Sequence, residues 1–151
     1  MSLKDSIEQD LKAALLNKNS LRVETLRSMK NALLYAEVGQ GKERKTLSDT
    51  EMIETLSKET KRRQESADLY QQAYETERAQ KELAEKAIIE EYLPKSLSEA
   101  EISQLIDQAL EHFGDNKPQQ IGPVIAYVRQ SANGIVDGAT VARLVKEKLE
   151  Q

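Results

Sequence analysis

Few side chains in this sequence could carry out chemistry. It has no cysteine and a single histidine, His112, which excludes thiolate nucleophiles, disulfides and thiolate zinc sites. A metal would have to be held by carboxylates alone. The 26 acidic residues are scattered over solvated helical faces and mostly stand beside basic ones, so no pair has the isolation that a general acid–base dyad needs. His112 flanks an apolar stripe near a helix end and reads as a partly exposed helix-end residue. The sequence therefore offers no catalytic set, no metal site and no cofactor site.

What remains is cations at helical spacing. Lys58, Lys61 and Arg62 share one face. They read either as solvated positions, with Glu54 four residues before Lys58 and Glu65 four after Lys61, or as contacts to phosphate. Arg22 and Lys30 interrupt an apolar stripe, where long stems can snorkel but charged heads want partners or an opening. Arg63 interrupts another, beside Thr60, Tyr70 and Tyr74, so it must pair inside a bundle or point into a groove. A net charge of -4 argues against a generic nucleic-acid coat, and any contact to a polyanion must come from a local patch.

These residues need elements to hold them, and every periodic segment has the helical repeat. Ser2–Asp5 has capping-box spacing ahead of Leu3, Ile7, Leu11, Ala14 and Leu15, predicting a first helix that ends near Asn17 to Asn19. A second spans about Ser20 to Val38, with Val23, Leu26, Met29, Leu33, Leu34 and Ala36 making a stripe wide enough for the centre of a bundle. After a mostly basic loop, Gly39 to Lys45, a third helix opens on the box Ser48–Glu51. Its stripe of Met52, Ile53, Leu56, Thr60, Arg63, Ala67, Tyr70 and Tyr74 predicts that it reaches Glu75. A fourth runs from about Glu77 to Tyr92 and stops because Pro94 disfavours helical geometry at Leu93.

Pro94–Leu97 reads as a domain boundary. Ser98–Glu101 is a further capping box, and Ile102, Leu105, Ile106, Ala109, Leu110 and Phe113 form a fifth helix ended by Gly114. A polar loop, Asp115 to Gln119, follows. Pro123 fits the opening turn of a sixth helix beginning no earlier than about Gln119. Two apolar stripes, Ile121, Val124, Ile125, Val128 and Val141, Leu144, Val145, Leu149, flank the turn Asn133–Gly138. There Gly134 fits a left-handed position, Asp137 suits the N-cap, and Gly138 completes the turn. No stretch alternates with period two. The expectation is an all-α chain: a four-helix domain over 1–94, then a three-helix tail over 95–151. No apolar run approaches the roughly 20 residues that span a bilayer, and the acidic start lacks the pattern of a signal peptide. The expected setting is soluble and cytoplasmic, with no membrane contact.

The order of several short motifs resembles the YqeY family. They are Leu21–Arg22 with Thr25–Leu26–Arg27 and Lys30–Asn31–Ala32, then Lys58–Glu59, Lys61–Arg62–Arg63 and Glu65–Ser66. Glu91–Tyr92–Leu93–Pro94, Ile121–Gly122 with Val124, Gly134, Asp137–Gly138 and Val145–Lys146 complete the set. The C-terminal part is similar to the tail domain of the B subunit (GatB) of tRNA-dependent amidotransferases and of some glutaminyl-tRNA synthetases. The resemblance implies a two-part helical fold, a tail that meets tRNA in those contexts, and no catalytic residues in the tail. Glutamine-dependent carbon–nitrogen ligation belongs to other domains of the amidotransferase complex. The family often carries a basic residue on each side of the glycine matching Gly134, where this chain has Asn133 and Ile135. The expected partner is tRNA, bound weakly and with strong salt dependence, or a tRNA-charging enzyme. The expected phosphate contacts are Arg22, Lys30, Lys58, Lys61, Arg62 and Arg63 in the first domain and Arg129, Arg143 and Lys146 in the second. The alternative is a helical protein–protein adaptor without RNA contact.

Overall fold

The computed structural model describes residues 2–39, 43–114, 121–132 and 136–149. Among these residues it is helical with no strand, as seven helices: α1 Leu3–Leu16, α2 Ser20–Val38, α3 Asp49–Gln72, α4 Thr76–Glu90, α5 Glu99–Phe113, α6 Gly122–Ser131 and α7 Gly138–Leu149. The chain divides into two compact units, Met1–Leu93 and Pro94–Gln151. Within the described residues no helix is long and apolar enough to cross a membrane.

In the first unit α2 packs against α1, α3 and α4, as its wide stripe requires. Leu26, Met29 and Leu33 meet Ile7 of α1, Leu56 of α3 and Ile89 of α4 in a core that excludes solvent. Full reciprocal capping boxes open α1 and α3, at Ser2/Asp5 and Ser48/Glu51. At α5 only one half of the box forms, the Ser98 hydroxyl accepting from the Glu101 amide at 3.2 Å.

Two expected boundaries are corrected. α3 stops at Gln72 rather than reaching Glu75. The chain reverses there to lay α4 along α3, with Tyr74 in the left-handed region at φ 60 and the Glu75 amide donating to the Tyr70 carbonyl at 2.8 Å. Tyr74 is 93% exposed, off the packed stripe that its spacing suggested. α4 likewise ends at Glu90 rather than Tyr92. Ahead of Pro94 the chain tightens into three successive i to i−3 bonds, from the amides of Glu91, Tyr92 and Leu93.

The tail buries Ile102, Ile106 and Ala109 of α5 against Val124 and Val128 of α6 and Val141, Leu144 and Val145 of α7. Gly114 ends α5 with φ 54, the conformation for which glycine was expected. Pro123 lies in the first turn of α6. Asp137 caps α7 as its position suggested: its carboxylate accepts from the Ala139 amide at 3.3 Å and from the Thr140 hydroxyl at 3.2 Å. Asp137→Ala should therefore destabilise the tail by about 1 kcal/mol in chemical denaturation, and a neutral result would remove the cap from this account. Gly134, its neighbours Asn133 and Ile135, the loop over 115–120 and residues 40–42 lie outside the described residues.

Candidate nucleic-acid interface

The candidate cations of the first unit divide by surroundings. Arg63 takes the first of its two options and pairs inside the bundle. Its side chain is 14% exposed, its guanidinium donates to Glu85, lies 3.5 Å from Glu82 and donates to the Ser28 hydroxyl at 2.9 Å. It thereby ties α2, α3 and α4 together. Burial pushes the Glu85 carboxyl up, and Arg63 beside it offsets that only in part.

Arg22 is held at the end of α4, donating to Glu91 at 2.9 Å and to the Tyr92 hydroxyl at 3.3 Å, while that hydroxyl donates to Asp10 of α1. Lys30 pairs with Glu8 at 3.3 Å. Both interrupted-stripe residues thus find partners on neighbouring elements.

Lys58, Lys61 and Arg62 stand exposed on α3. Arg62 pairs with Glu59 at 3.2 Å on its own helix, with its side chain 76% exposed. Among the described residues Lys58 forms no ion pair, so the expected Glu54–Lys58 pair is not made. A spacing of three and four residues puts all three cations on one side of the helix, where phosphate can reach them without disturbing the core.

In the tail, Arg143 pairs with Glu99 and with Glu147 at 3.1 Å. Lys146 is exposed without an ion pair among the described residues. Arg129, also exposed, folds toward the start of α7. A Cβ at Gly138 would come within 3.1 Å of its guanidinium, so the glycine leaves room for that approach. His112 is exposed, as expected of a helix-end residue, and stacks on Tyr127 with ring centroids 4.9 Å apart. The described residues hold no cluster of His, Cys, Asp or Glu able to bind a metal ion.

Two buried acids, Glu37 and the Glu85 already described, carried no assignment in the sequence. Glu37 lies near the end of α2 with its side chain 6% exposed, between Lys4 of α1 and Arg44 of the following loop, whose Nε donates to it at 3.0 Å. The signal was available, because Glu37 falls four residues after Leu33 on the apolar stripe. The hydrogen bond from Lys4 holds its carboxyl below the ordinary value of 4.5. A lowered folded-state value means the stabilisation is complete above about pH 4.5 and is lost as pH falls through the folded value. Acid unfolding of the first unit should thus be less steep in Glu37→Gln, which should also lose about 2 kcal/mol near neutral pH, where the wild-type carboxylate accepts charged hydrogen bonds. Identical acid transitions in the two proteins would refute this role. Glu85 acts oppositely: with a raised value, its contribution is full below about 4.5 and declines as pH rises through the folded value.

Comparison with known proteins adds two findings. The family described as "Yqey-like protein" matches residues 4–149. A similar protein, "Altered inheritance of mitochondria protein 41, mitochondrial" of Meyerozyma guilliermondii, is 33% identical over 120 residues, covering 80% of this chain and 60% of that relative. The chain thus spans less than two thirds of the relative's length.

Proposed function

The chain belongs to the Yqey-like protein family, and from that premise we propose that it is an accessory protein that binds tRNA weakly and lends that affinity to a tRNA-charging enzyme or a tRNA-dependent amidotransferase. The observation that carries this reading is the exposed face of α3, where Lys58, Lys61 and Arg62 project together. Lys146 and Arg129 supply the corresponding positions in the tail. Arg22, Lys30, Arg63 and Arg143 pair with carboxylates of other segments, so their first contribution is to hold the helices that present the others, whereas the Arg62 pair lies within α3. The reading assigns no catalytic step to the chain. It sets the protein in a compartment where tRNA is charged, the cytoplasm, although the Meyerozyma relative is described as mitochondrial.

With a net charge of -4 the long-range field repels a polyanion, so only ~3 or 4 phosphates are neutralised locally. Titration of unfractionated tRNA across salt concentrations should give a log–log slope of roughly -2 to -4, with binding fading near physiological salt. Lys61→Glu with Arg62→Glu should abolish binding and leave the fold intact. Absence of binding even at low salt would overturn the proposal.

A further inference from the structure

α2 keeps one face in solvent along its whole length. Glu24, Arg27, Asn31, Leu34, Tyr35 and Val38 are all exposed on it, Tyr35 at 83%. For a helix packed on three others, this is an unusual outward stripe. Its first half is polar and its second half carries an aromatic ring between two aliphatic side chains.

At the first end an open pocket of about 290 Å³ is lined by Leu15, Lys18, Ser20, Val23, Glu24 and Arg27. Lys18 reaches it from the α1–α2 corner, where its φ is 53. Among the described residues neither Lys18 nor Arg27 forms an ion pair, whereas the pocket's acid, Glu24, faces Lys81 at 3.5 Å. The pocket therefore presents two unmatched positive charges. Arg27, Asn31 and Tyr35 then follow at four-residue steps, each a rise of about 6 Å along the axis.

We infer that this face of α2 takes an unpaired stretch of RNA, with phosphate at Lys18 and Arg27 and a base stacked on Tyr35. The inference rests on the RNA reading above and adds to it a second surface that selects single strands. The chemistry fits in three respects. Unmatched cations suit a phosphate backbone. An exposed aromatic ring offers stacking to any base, which a duplex with its bases already stacked cannot use. The Asn31 amide between them can donate to and accept from a base edge. Leu34 and Val38 lie beside the ring on the same exposed face.

The test compares an unstructured oligouridine with an RNA duplex of equal phosphate count, each titrated against the full chain at low salt. Tyr35→Ala is expected to weaken oligouridine binding roughly tenfold and to leave duplex binding unchanged, while Tyr35→Phe keeps the wild-type affinity. Arg27→Gln should weaken oligouridine binding too. Because Tyr35 is exposed, its loss should not unfold the unit, and a melting curve for each variant checks this. If Tyr35→Ala binds both RNAs as the wild type does, the inference falls. If tRNA still binds in that case and is still lost on charge reversal at Lys61 and Arg62, the proposed function stands without it. If the wild type binds no RNA at all, both fall together.

Discussion

Arg63→Met is expected to destabilise the first unit by about 3 kcal/mol, near the low end of the range for breaking a buried ion pair because the site keeps slight solvent contact. Methionine preserves most of the length and apolar stem, so the loss isolates the charge. What remains is Glu85, buried on α4, with Glu82 beside it and the Ser28 hydroxyl without its donor. The cost comes from the stranded carboxylate more than from the absent attraction. Among the described residues the Arg63 Nε is buried and has no hydrogen-bond partner. Two checks follow. Adding Glu85→Gln to Arg63→Met should recover part of the loss, so that the two changes are non-additive in urea titration. The deficit of the single variant should also shrink at acid pH, since protonation removes the unpaired charge. A loss below about 0.5 kcal/mol at neutral pH, typical of exposed pairs, would show that Arg63 does not tie the three helices.

Ile106→Ala should be the most damaging single change in the tail. Ile106 is fully buried on α5, within a core shared with α6 and α7. Truncation there removes transfer energy and leaves a cavity, together on the order of 2–5 kcal/mol. A unit of this size has a total stability of only about 3–5 kcal/mol, so the expected result is loss of cooperative structure in the tail. Amide hydrogen exchange should then show protection lost over α5, α6 and α7 and retained over α2. Protection retained in α5 would mean that the tail draws on stabilisation beyond its own core.

The helices were legible because their signals are local. Ser2, Ser48 and Asp137 each announce a helix start through the amides they cap, and Gly114 and Pro94 announce stops through their own backbone restrictions. The misses arise where tertiary contacts decide. Tyr74 continues a helical stripe by spacing, yet the return of α4 along α3 requires a corner at that residue. The partners of Arg63 and Glu37 come from other elements, so spacing could show only that each charge needed an answer. Lys18 and Arg27 carried no distinguishing pattern, because what sets them apart is that, among the described residues, neither forms an ion pair once α1 and α2 have folded together. For the candidate interface, sequence supplied the cations but could not sort those spent on folding from those left at the surface.

That sorting is most directly tested by measuring tRNA affinity and urea stability side by side for Lys61→Glu/Arg62→Glu and for Arg63→Met. The charge-reversed protein is expected to lose tRNA binding at low salt while its unfolding midpoint stays near that of the wild type. Arg63→Met is expected to unfold far more easily, yet to bind tRNA with unchanged affinity under conditions where it remains folded. Full tRNA affinity in the charge-reversed protein would contradict the assignment of the α3 face as the binding surface.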